Sequence, residues 1–194
     1  DQKLYKFISQ ELQKGKIIAW CQGNLEFGPR ALGNRSILAD PRDIAMQKKL
    51  NLKIKFREGF RPFAPIVLLN QASNWFDLDS ESPYMLLVSK VKKNILSDSQ
   101  LNKFQNLESI NNIRSLIPSV THVDDTARIQ TIDIKNGKIH NLLNVFYEDT
   151  NCPILVNTSF NLSGEPIVNT PKEAYASFMI SDIDILCFEN TIVT

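Results

Sequence analysis

Between Arg30 and Arg61 the chain carries nine lysines and arginines against three acids, although its net charge over 194 residues is only +1. That segment is built to meet an anion, while the acidic remainder argues against a generic nucleic-acid surface. Four groups of polar residues lie beside apolar runs: Arg30 and Arg35 in the glycine- and proline-punctuated stretch 22–36, Lys55 and Arg61 in a basic run, His122 with Arg128, and Asn157 with Ser159. Strand-to-loop junctions of this kind are where open sheets usually bind ligands. Arginine supplies a planar fork for carboxylate or phosphate, lysine a point charge, and Asn and Ser neutral groups that orient without adding charge. Together they suit a small polyanion, and Gly28, Gly33 and Gly59 would let main-chain amides approach its oxygens.

Other chemistries lack their residues. The sequence contains neither a Gly-x-x-x-x-Gly-Lys-Ser/Thr phosphate loop nor a Gly-x-Gly-x-x-Gly dinucleotide fingerprint. With two histidines in all, Ser159 has no setting for a nucleophilic triad. His122, Asp124 and Asp125 fall within four residues of an extended segment and cannot easily converge on one ion, so no metal ligand is assigned. Cys21, Cys152 and Cys187 are odd in number, far apart and set among apolar neighbours, which predicts buried reduced thiols. There is no apolar run of membrane-spanning length and no secretion signal at the start, and the chain reads as cytoplasmic. The rival to a small-anion site is an RNA-binding module in which Phe56, Phe60 and Phe63 interleave the basic run; a catalytically silent interdomain module is a third reading.

These residues need positioning elements. Leu4, Ile8 and Leu12 predict a helix ended by Gly15, and Ile17–Cys21 a buried strand. Ile37–Ala39 reads as a short strand, and Asp40-Pro41 as a helix cap with proline in the first turn. The run 53–65 is a strand edge or ordered loop, with Ile54, Phe56, Phe60 and Phe63 packed beneath in the simplest version. Strands are expected at 66–69, 84–88, 129–133, 153–156 and 183–188, and helices at 70–76 and up to about Thr150. Thr170-Pro171-Lys172-Glu173 is a capping box opening a last helix. Residues 89–119 have no clean period and predict a variable surface excursion with one helix between Ser99 and Ile110. The interleaving gives one α/β (α+β) domain over 1–194 on a mixed sheet, and the absent initial methionine suggests a piece of a larger chain.

Four motifs occur in order: Glu26-Phe27-Gly28-Pro29-Arg30-Ala31-Leu32-Gly33-Asn34-Arg35-Ser36; Lys55-x-Arg57-x-x-x-Arg61-Pro62-Phe63-Ala64-Pro65; His122-x-Asp124-x-Thr126-Ala127-Arg128-x-Gln130; and Asn157-Thr158-Ser159-Phe160-Asn161 with Gly164-Glu165-Pro166. In this they resemble the C-terminal domain of the nodulation-protein and antibiotic O-carbamoyltransferases. The resemblance implies a YrdC-like twisted mixed sheet flanked by helices, which converts carbamoyl phosphate and ATP, with Mg²⁺, into carbamoyl-adenylate. It implies as partner an N-terminal domain of actin-like fold that moves the carbamoyl group to a hydroxyl. Carried over by motif position, Lys55, Arg61 and Arg30 are the catalytic cations, and Arg128, Asn157, Ser159 and His122 the substrate- and nucleotide-binding residues. Asn24 departs from the arginine that many members carry there. Arg35 and Arg42 are as well placed to brace the loop, through carbonyls or Asp40, as to touch substrate.

Overall fold

The computed structural model describes residues 1–96 and 115–194. Helix α1 (Gln2–Gln13) buries Tyr5, Ile8 and Leu12 on one face. It stops at Gly15, whose φ of 76° lies in the left-handed region that glycine enters at no steric cost. Strands β1 (Ile18–Cys21) and β2 (Arg35–Ala39) are buried along their whole length. After α2 (Met46–Lys53) come β3 (Ala64–Leu68), α3 (Leu69–Trp75) and β4 (Leu87–Lys90). Strand β5 (Thr126–Ile132), helix α4 (Lys138–Thr150), β6 (Ile154–Ser159), α5 (Pro171–Met179), β7 (Ile185–Phe188) and β8 (Thr191–Val193) complete the order.

The eight strands of the described residues form one mixed sheet in the order β4-β5-β3-β6-β2-β1-β7-β8, the α/β architecture expected from the interleaved pattern. Central β6 runs antiparallel to both neighbours, pairing Asn157 with Leu38 of β2 and with Ala64 of β3. The polar end of β6 therefore lies beside the beginnings of β2 and β3. Parallel pairing sets Ile66 of β3 opposite Gln130 of β5, so Arg128 comes to the same end of the sheet. Trp20, Phe146 and Phe160 are fully buried in the core beneath. The capping box is formed: Thr170 Oγ1 accepts from the amide of Glu173, and the Glu173 carboxylate accepts from that of Thr170. All three cysteines are buried free thiols, and burial raises each pKa to about 12.

Several expectations are corrected. Asp40-Pro41 does not cap a helix: the buried Asp40 carboxylate is taken by the amide and guanidinium of Arg42, and α2 starts only at Met46. The strand expected at 84–88 is shifted to 87–90, because Pro83 and Tyr84 form a turn, followed by a bend at Met85, which adopts φ 56°. Of the two forms expected for the run 53–65, residues 54–63 take the ordered loop; Ile54 and Phe63 are buried as expected, whereas Phe56 and Phe60 are exposed rather than packed beneath. Of the stretch 89–119 expected at the surface, Val91, Ile95, Ser115, Ile117 and Ser119 are buried. The helix expected between Ser99 and Ile110 lies outside the described residues. Strand β8 carries no period long enough to have been read. Among the described residues, no helix is long and apolar enough to cross a membrane.

Candidate anion-binding site

A cleft of about 380 Å³ opens at the polar end of β6. Arg30, Lys55, Arg57, Arg61 and Arg128 line it, together with Asn157, Ser159 and Asn161, and among the described residues no acidic side chain does. Six of the seven motif-derived residues thus meet in one place. His122 does not line the cleft; it sits half-buried in the turn before β5, its Nδ1 3.1 Å from Thr126 Oγ1. Burial lowers its pKa, helped by the charge of Arg128 and opposed by that of Asp124.

Lys55 is placed from two sides. The chain leaves α2, turns at Phe56 with φ 45°, and is fastened by Asn51, which is fully buried on α2. Asn51 Nδ2 donates to the carbonyls of Gly59 and Arg61, and its Oδ1 accepts from Arg57 Nε at 2.6 Å. The guanidinium of Arg57 also lies over the buried Phe63 ring, 4.9 Å from its centroid, so Arg57 holds the loop as well as lining the cleft. From the other side, Lys55 Nζ donates to the carbonyls of Ser159 (2.7 Å) and Asn161 (3.0 Å) and to Asn161 Oδ1 (2.9 Å). These acceptors are all neutral. Burial, with a smaller push from Arg57, brings the Lys55 pKa down to about 7. A desolvated ammonium with no counter-charge is an anion site waiting for its charge.

Arg128 is half-buried, and its Nε is buried without a hydrogen-bond partner. Its pKa is lowered by burial and by the nearby charge of Arg30. Two cations set close together with no acid between them repel each other, and a bound anion would remove that cost. Arg61 differs: it is half-exposed at the rim and its Nε meets the carboxylate of Glu58 at 3.0 Å.

Asn157 is almost fully buried, and its Nδ2 donates to the carbonyl of Ala31 and to Gln130 Oε1. Gln130 Nε2 donates in turn to the carbonyl of Leu32, which fixes both amide orientations by the network and leaves Asn157 Oδ1 a buried acceptor without a donor. Arg35 and Arg42 are braces. Arg35 donates to the carbonyls of Gln22, Gly23, Asn34 and Asn169, and Arg42 pairs with Asp40. Gly33 is no phosphate cradle: its amide donates to Ser36 Oγ, its φ is 110°, and an added Cβ would come within 2.9 Å of Ile139 on α4. Gly28 and Gly59 also lie outside the lining, whereas Gly164 is part of it. Asn51, Gln130 and Asn161 act here without having been singled out as site residues. Gln130 and Asn161 stood inside the quoted motifs, while Asn51 had no signal beyond an amide on a helix.

Comparison with known proteins bears on this geometry. The family model described as "Carbamoyltransferase C-terminus" matches residues 9–194. The chain is 44% identical to nodulation protein NolNO of Sinorhizobium fredii, over 88% of this chain and 23% of that protein. It is 36% identical to a 3'-hydroxymethylcephem-O-carbamoyltransferase of Streptomyces clavuligerus, over 84% of this chain and 27% of the enzyme. The chain thus spans about a quarter of the length of these two relatives. Among solved structures, HypF in its phosphate- and nucleotide-bound form superposes with a TM-score of 0.54 at 18% identity, over 92% of this chain and 20% of HypF. That likeness is one of fold.

Proposed function

The chain belongs to the carbamoyltransferase family, of which it spans the C-terminal region, and from that premise we propose that its cleft activates carbamoyl phosphate with ATP to form carbamoyl-adenylate. In this reading an N-terminal domain of actin-like fold then delivers the carbamoyl group to a hydroxyl acceptor. The observation that carries the proposal is the cleft itself: among the described residues it has five cationic side chains and no acid, and its partly buried lysine donates to neutral oxygens.

For the step to balance, water must first cleave carbamoyl phosphate to carbamate and inorganic phosphate; a carbamate oxygen then attacks the α-phosphorus of ATP, and charge spreads over the α-phosphate as pyrophosphate leaves. Positioning and electrostatic stabilisation are then the main demands on the protein, and no protein nucleophile is required. Lys55, whose three N–H groups already donate to Ser159 and Asn161, meets phosphoryl oxygens with its charge or by giving up one of those acceptors, while Arg30 and Arg128 clamp from the other side. Arg61 closes the rim. The orphaned Oδ1 of Asn157 is an acceptor suited to the NH₂ of a carbamoyl group, and that contact would satisfy a buried atom otherwise costing about 1–3 kcal/mol.

Mg²⁺ is implied by the family chemistry, but among the described residues the lining offers no carboxylate, and Asn161 Oδ1 is occupied by Lys55 and Ser159. These residues do not fit a protein-held Mg²⁺, and no step is assigned to it.

The test is isotope exchange between pyrophosphate and ATP. The proposal expects exchange that depends on carbamoyl phosphate, together with a rise in melting temperature when ATP and carbamoyl phosphate are both present. Steeply salt-dependent RNA binding, with no response to either ligand, would instead support the RNA-binding reading of the basic run.

A further inference from the structure

The loop that carries Arg30 leaves the sheet after β1 and returns to it as β2, with no regular structure between. Its interior is organised by one side chain. Glu26 Oε1 accepts three main-chain N–H groups: those of Leu32 at 2.8 Å, Asn34 at 2.7 Å and Arg35 at 3.1 Å. The start of the loop is thereby tied to its end, and residues 27–31 form a closed bow with Arg30 on it. Glu26 Oε2 is buried and has no partner. No arginine or lysine makes an ion pair with this carboxylate among the described residues, so the amides alone face its charge. From outside, Asn157 and Gln130 hold the carbonyls of Ala31 and Leu32, just past Arg30.

We propose that Glu26 is the positioning residue of the cleft: its carboxylate closes the 26–35 loop and so pre-sets Arg30 against Arg128 before the anion arrives. The inference rests on the anion-cleft reading but not on the identity of the reaction. Three convergent main-chain donors favour a carboxylate oxygen as their acceptor, since charge-assisted hydrogen bonds are roughly twice as strong as neutral ones. An amide at this position keeps the shape and loses that charge, and it also buries an NH₂ where Oε2 has no partner. Arg30, itself exposed, would then sample many orientations, and each anion bound would have to order it again.

The test is a double-mutant cycle on pyrophosphate binding, read by calorimetry, with Glu26→Gln, Arg30→Ala and the pair. Because Glu26 acts through Arg30, Glu26→Gln is expected to weaken pyrophosphate binding roughly tenfold, and to weaken it no further once Arg30 is alanine. Wild-type affinity in Glu26→Gln would overturn the proposal, as would full additivity in the double variant, the signature of a merely structural residue. Should Glu26→Gln fail to fold, Glu26→Asp carries the same cycle, since it keeps the charge while withdrawing the carboxylate by one methylene. Pyrophosphate binding is measured without carbamoyl phosphate, so a failure of the exchange reaction leaves this outcome readable, and the reverse.

Discussion

Lys55 and Arg61 belong to one basic run, six residues apart, and the fold treats them in opposite ways. Lys55 is drawn inward onto carbonyl and amide oxygens at 2.7–3.0 Å, with its pKa lowered to about 7. Arg61 stays half-exposed and already has a carboxylate, that of Glu58. An anion arriving at Lys55 meets a charge that burial has stripped of water and left uncompensated. At Arg61 it must compete with Glu58 and with solvent, where exposed pairs are worth about 0–1 kcal/mol. Equal formal charge therefore means unequal leverage, and burial without an ionic partner is what confers it.

The contrast breaks most easily at Lys55. Lys55→Ala removes a buried contact to a charged group, and carbamoyl-phosphate-dependent exchange is expected to fall about thirty- to a thousand-fold, for a loss of about 2–4 kcal/mol of transition-state stabilisation. Exchange preserved in a folded Lys55→Ala protein would remove Lys55 from the site. Arg128→Ala comes next, because Arg128 shares the partial burial but keeps more solvent; about tenfold weaker ATP binding by calorimetry is expected. Arg61→Ala should be the mildest, a change of about fivefold or less in the same measurement. If Arg61→Ala equalled Lys55→Ala, the rim and not the floor would dominate and the ranking would be wrong.

The sheet and the four motifs were legible because strands here are short apolar runs that end abruptly in polar residues. Ile154 to Val156 followed by Asn157 gives both β6 and its site, and the Thr170–Glu173 box gives the start of α5. What misled was a local signal outbid by a tertiary contact. Asp40-Pro41 has the residues of a cap, but the Asp40 carboxylate has a stronger partner in Arg42. The apolar run at 84–88 has the pattern of a strand, yet Leu86, Leu87 and Val88 are exposed and the pairing begins only at Leu87. Composition revealed a basic region without saying which of its cations is buried. That follows from Asn51 fastening the loop and from Asn161 at the end of β6, whose contact with Lys55 joins residues far apart in the chain. The grouping of Arg30 with Arg128 likewise depends on strand order, to which the sequence pattern is blind.

The central claim is that a buried lysine, short of its charge when the cleft is empty, takes the anion. Because the Lys55 pKa lies near 7 in the free protein, the cationic form dominates below that pH and the neutral form above it. An anion binds the cation, so above about pH 7 each bound anion must bring in a proton, and affinity falls toward tenfold per pH unit. The direct measurement is the affinity for ATP between about pH 7.5 and pH 9, where the triphosphate itself is already fully ionised. The account predicts a decline approaching tenfold per unit, with uptake of close to one proton per ATP when calorimetry is repeated in buffers of different ionisation enthalpy. A flat profile with no proton uptake would contradict it.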